Sequence, residues 1–152
     1  MKKSFLVLSF IGLSLATMSC SQDDVSSGPT ASGISNIVMD GGWQVTLYKE
    51  DGVDHTSDFN GYTFTFGNTM VVTASNSTNS YTGTWLVTDN GADDDSASSD
   101  VDFNLLFTEP TVLTELSEDW DVISSSNTKI QLRHISGGDG SIDNLTFEKT
   151  TF

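Results

Sequence analysis

From Gly41 onward, apolar and polar residues alternate with a period of two. Trp43, Val45 and Leu47 alternate with Gln44, Thr46 and Tyr48, and Tyr62, Phe64 and Phe66 with Thr63 and Thr65. The same pattern recurs at Met70, Val72 and Ala74, at Tyr81, Gly83, Trp85 and Val87, and at Val101, Phe103, Leu105 and Phe107. It continues at Trp120 and Val122, at Ile130 and Leu132, and at Leu145 and Phe147. Successive side chains on a strand point to opposite faces, so each run buries one face and wets the other. These runs predict an all-β fold of eight antiparallel strands. Gly67–Thr69, Asn76–Ser80, Ser125–Asn127 and Ser136–Gly140 are short and rich in turn-forming residues. Consecutive hairpins without a long crossover favour an up-and-down barrel, whose closure removes exposed sheet edges. At most one short helix is expected, over Thr111–Leu116 after Pro110.

The first forty residues lack this alternation. Lys2 and Lys3 precede an apolar run from Phe5 to Leu15, the layout of a secretory signal and too short for a permanent span, which takes about 20 apolar residues. Thr17-Met18-Ser19-Cys20 follows, and it resembles a bacterial lipobox, in which the cysteine is lipidated and becomes the mature N-terminus. Ser21-Gln22-Asp23-Asp24 resembles the acidic signal that sends lipoproteins of the Bacteroidota to the outer face of the outer membrane. Several acyl chains on Cys20 give stable anchoring where a single chain does not. Residues 21–40 are dominated by Ser, Gly and Thr and are expected to form a flexible tether. The expected organisation is a signal over residues 1–19, a lipidated cysteine and tether over 20–40, and a barrel over 41–152.

Charge narrows the partners. The chain has 6 basic and 21 acidic residues, and loss of the leader removes two of the lysines. Such a surface repels nucleic-acid phosphates and anionic lipid headgroups, so neither is an expected partner. With one cysteine no internal disulfide can form, and stability must come from a packed core.

Gly41-Gly42-Trp43 is similar to the Gly-x-Trp that opens the first strand of lipocalins. The order of Trp43, "GYTFTF", "TGTW", "DWDV" and "LTFEK" resembles lipocalin-like lipoproteins of the Bacteroidota over most of residues 41–150. The resemblance implies a barrel whose Trp43 packs at a closed end under a late basic residue, Lys149 or Arg133. It also implies a small apolar or amphipathic ligand beneath a first-loop lid, here residues 50–60 with Phe59 as a plug. Leu47, Phe59, Phe64, Ala74, Trp85 and Phe103 are the candidate ligand contacts. The same aromatics could instead fill the lumen, because an eight-stranded barrel is just wide enough for either arrangement. A solid barrel would make the chain a protein-contact or accessory module of a cell-surface assembly.

Other chemistry is thin. Asp89, Asp93, Asp94, Asp95 and Asp100 crowd one loop, but their spacing fits no EF-hand, so Asp93, Asp94 and Asp95 are weak calcium candidates beside a solvated acidic loop. Asp139 and Asp143 are weaker still. Asp95-Ser96-Ala97 resembles the Bacteroidota O-glycosylation signal, with Ser96 as acceptor. His55 and His134 are too few for a zinc cage, and no Gly-x-Ser-x-Gly is present. Asp119 and Asp121 share the wet face of their strand. The expectation is a non-enzymatic lipoprotein without a cofactor.

Overall fold

The computed structural model of the chain describes residues 29–89, 101–138 and 140–151. Its strands are β1 (Trp43–Glu50), a two-residue β2 (Val53–Asp54), β3 (Thr63–Phe66), β4 (Val71–Ser75), β5 (Ser80–Asp89), β6 (Val101–Leu106), β7 (Asp119–Ser125), β8 (Lys129–Ile135) and β9 (Ile142–Lys149). All pairings are antiparallel. Each strand from β3 to β8 pairs with the next, β3 also pairs with β1, and β1 pairs with β9 to close an eight-stranded barrel. β2 folds back on the end of β1 and is not one of the barrel staves.

The alternating runs place their apolar members inside. Val72, Ala74, Trp85, Val87, Phe103, Leu105, Trp120, Val122, Ile130, Leu132, Leu145 and Phe147 are all buried. Full burial of one such large side chain contributes about 1.5–3 kcal/mol, so this set dominates stability. Gly83 also faces inward, and a Cβ there would lie 2.4 Å from the Leu106 carbonyl oxygen and 2.8 Å from the Phe107 ring. Glycine lets Phe107 cross beneath β5.

Three expectations change. Between Val45 and Leu47 the β1–β9 register shifts, so the alternation changes phase. Leu47 pairs with Thr146 and is only half-buried, whereas Tyr48 pairs with Leu145 and turns inward. Met70 lies in the β3–β4 turn with a positive φ of 62°, and it is exposed rather than inward.

The largest correction concerns residues 31–39, expected to be tether. They form helix α1 (Ala31–Met39), which is packed on the barrel. Ala31, Ile34 and Val38 recur at helical spacing and are buried together. Thr30 caps the helix, its hydroxyl accepting from the Gly33 N–H at 3.2 Å. The Ala31 N–H donates to Asp89 Oδ1 at 2.8 Å, which ties the helix start to the end of β5. Helix α2 (Thr111–Thr114) falls where the one short helix was expected. No helix among the described residues is long and apolar enough to cross a membrane.

Candidate functional site

The candidate site is the barrel interior with its two ends. At the α1 end, Trp43 is fully buried and its indole N–H donates to the Val38 carbonyl at 2.9 Å. Lys149 Nζ lies 5.9 Å from the centre of the Trp43 ring and 2.7 Å from Asp40 Oδ2. Arg133 does not share this place; it pairs with Asp121 at 3.2 Å on the barrel wall. Gly41 has φ +93°, and a Cβ there would meet Lys149 Cε at 2.8 Å. Glycine therefore serves both the left-handed backbone and the close approach of the lysine. Helix, tryptophan and lysine together close this end.

The opposite end is closed by the segment after β1. His55 N–H donates to the Tyr48 carbonyl at 2.9 Å, and Tyr48 N–H donates to Thr56 Oγ1 at 2.9 Å. These bonds fold a single 3-10 turn, Thr56–Phe59, onto the barrel mouth. Hydrogen bonds from Thr56 also hold the exposed Asp54 carboxyl below its ordinary range. Phe59 is buried, and its ring stands edge-on to Tyr48 at 5.3 Å. The Tyr48 hydroxyl donates to the Glu115 carbonyl at 2.9 Å, and the Trp120 N–H to that of Leu116 at 3.1 Å. Burial raises the Tyr48 pKa well above its ordinary value, and the carboxylates of Glu50, Glu115, Asp143 and Glu118 push it in the same direction.

Between the two ends, rings meet across the lumen. Phe66 on β3 lies 5.4 Å from Trp85 on β5, 5.6 Å from Phe103 on β6 and 5.9 Å from Phe147 on β9. Phe64 lies 5.3 Å from Phe147 and 6.3 Å from Phe107. These edge-to-face separations are those of rings in direct contact. Of the candidate ligand contacts, Phe59, Phe64, Ala74, Trp85 and Phe103 all belong to one buried hydrophobic core. Leu47 is not among them. Tyr48 takes its place, and sequence alternation missed it because the bulge is invisible to a period-two pattern.

Three grooves lie on the outer surface. One of about 510 Å³ runs over β5 and β6 and is lined by Met70, Leu86, Leu106, Glu118 and Asp119 among others. Another of about 290 Å³ adjoins it, lined by Val71, Thr82, Gly83, Thr84, Leu106 and Thr108. A polar cleft of about 390 Å³ at the lid end includes Glu50, Asp51, Glu118, His134 and Asp143. There His134 Nε2 lies 3.6 Å from Glu118, and His55 Nδ1 lies 3.5 Å from Asp58. The Asp143 carboxylate accepts from the Asp51 N–H at 2.8 Å. No group of three metal-ligating side chains occurs among the described residues. Cys20, Asp93, Asp94, Asp95, Ser96, Asp100 and Asp139 lie outside them. Comparison with protein-family models and with curated proteins finds no match to the chain.

Proposed function

We propose that the chain is a lipid-anchored, non-catalytic contact module of the cell surface, with a lipocalin-like barrel whose interior is a structural core. The ring contacts of Phe66 carry this reading, since one side chain touches residues from β5, β6 and β9 and so bridges the lumen. A small molecule inside would have to displace those rings as well as Phe59. Capping at both ends supports the same conclusion. The lipocalin-like assignment rests on Gly41 and Trp43 at a closed end beneath Lys149.

Anchoring rests on the lipobox-like segment ending at Cys20. The described chain begins at the α1 end, and residues 20–29 span at most about 35 Å even when fully extended. An anchor at Cys20 would therefore hold the start of α1 within about 35 Å of the bilayer.

Uptake of a fluorescent fatty acid by the full chain, with Ala74→Phe as the companion variant, tests the interior. Ala74 is fully buried opposite Phe64 on the neighbouring strand. In a packed barrel the wild type takes up no probe, and Ala74→Phe lowers stability by about 1–3 kcal/mol through overpacking. Stoichiometric uptake, abolished by an Ala74→Phe variant of unchanged stability, would overturn the reading in favour of an internal ligand site.

A further inference from the structure

The barrel wall is unevenly charged. Residues 60–88 contain no Asp, Glu, Lys or Arg, in a chain of net charge −15. The fold lays this stretch out as β3, β4 and nearly all of β5. The groove over β5 and β6 borders this uncharged ground, where Met70 is 56% exposed and Leu86 41%, and Leu106 on β6 is 54% exposed. Where the chain enters β7 beside β6, the same groove is lined by Glu118 and Asp119. Glu118 also lines the polar cleft at the lid end, together with Glu50, Asp51, His134 and Asp143. The two hollows therefore meet at Glu118, one largely apolar and the other rich in carboxylates.

The cations of the chain are committed elsewhere. Outside the leader there are four, Lys49, Lys129, Arg133 and Lys149. Lys129 pairs with Glu148 at 3.0 Å, Arg133 with Asp121 at 3.2 Å and Lys149 with Asp40 at 2.7 Å. Lys49 stands opposite Asp54 in the β1–β2 pair. None of the four lines either hollow. His134 faces Glu118 at 3.6 Å and His55 faces Asp58 at 3.5 Å. Among the described residues, no basic side chain pairs with the carboxylates of Glu50, Asp51 or Asp119. Large apolar side chains also stand out at Ile123, Ile135 and Ile142, but these line neither hollow. What distinguishes the β5–β6 groove is that its exposed aliphatic side chains run up to carboxylates without a cation.

We infer that the groove and the cleft together dock an extended segment of a partner protein, aliphatic at one end and bearing lysine or arginine at the other. The aliphatic end covers Leu86 and Leu106, which removes apolar surface from water. A lysine or arginine beside Glu118 and Asp119 supplies the missing positive charge while its methylene stem lies on the apolar lining. Complementary charge also steers a basic segment toward this acidic surface and makes the association sensitive to salt. The inference rests on the contact-module reading and names the chemistry of the partner.

Fluorescence anisotropy of the full chain in neutral detergent tests this, with a labelled peptide of about four leucine and valine residues followed by about four lysines. Saturable binding that weakens as salt is raised is expected. Leu106→Ser should weaken it about five-fold or more through lost apolar contact. Glu118→Gln combined with Asp119→Asn should weaken it about three-fold or more. Ile123→Ser, at an equally exposed position outside both hollows, should leave it unchanged. Leu86→Ser replaces Leu106→Ser if the thermal midpoint of that variant collapses. A peptide with glutamates for the lysines, and one with serines for the aliphatic half, should each bind at least about five-fold more weakly. No binding of the first peptide, equal binding of the serine peptide, or a loss at Ile123→Ser matching that at Leu106→Ser overturns the inference. None of these arms reports on the lumen. Fatty-acid uptake there would overturn the contact-module reading whatever the peptide does, whereas a failed peptide leaves the packed interior in place.

Discussion

Tyr48 shows how much one residue decides. The register shift between Val45 and Leu47 turns it inward, where it braces Phe59 and reaches the Glu115 carbonyl. Tyr48→Phe should cost about 0.5–1.5 kcal/mol for the lost hydrogen bond, measured by denaturant unfolding at neutral pH. The raised pKa adds a pH dependence with a definite sign. An unfolded tyrosine gives up its proton near the ordinary value of 10.0, whereas the buried one retains it. The stability Tyr48 contributes is thus whole below pH 10 and declines as pH rises above it. Tyr48→Phe should flatten that alkaline decline, and an unchanged slope would remove Tyr48 as its source. Gly83 gives a second test of a single position. A methyl group there meets the backbone of Leu106 and the Phe107 ring, so Gly83→Ala should lower stability by about 1–3 kcal/mol or more. A neutral effect would mean that Phe107 does not lie beneath β5.

Among the elements, α1 makes the sharpest prediction. Ile34→Ala should cost about 2–5 kcal/mol, the range for truncating a fully buried aliphatic side chain. In a flexible tether the same change would be within about 0.5 kcal/mol of neutral. The strands were legible in sequence because half-buried antiparallel staves alternate strictly, and the turn residues between them fix neighbours. The helix was not, because Ser and Gly dominate its surroundings and obscure the spacing of Ala31, Ile34 and Val38. Thr30 ahead of that spacing is the signal that could have found it. Leu47 and Met70 were misplaced for a related reason. A bulge and a left-handed turn residue each reset the phase, and a count of alternating positions carries no mark of either. The closed end was legible as Gly41 and Trp43, but the choice of Lys149 over Arg133 needed the fold. Arg133 is drawn to Asp121 one strand away.

For the whole molecule, net charge concealed an arrangement. Averaged over the chain the surface is acidic, and only the barrel topology gathers residues 60–88 onto one wall. Whether the inward aromatics surround a ligand or one another also lay beyond the sequence, since either arrangement uses the same inward positions. Anchoring belongs to this scale too. Cys20→Ala should shift the protein from the membrane fraction to the soluble fraction, and a variant that stays bound after a high-salt wash would refute the lipid anchor. An anchored barrel with a packed interior meets its sharpest test in native mass spectrometry of the full chain purified from the cells that produce it. The expected mass equals that of the mature polypeptide from Cys20 plus its acyl groups, with no further small molecule retained. A bound apolar molecule released only when the barrel unfolds would contradict it.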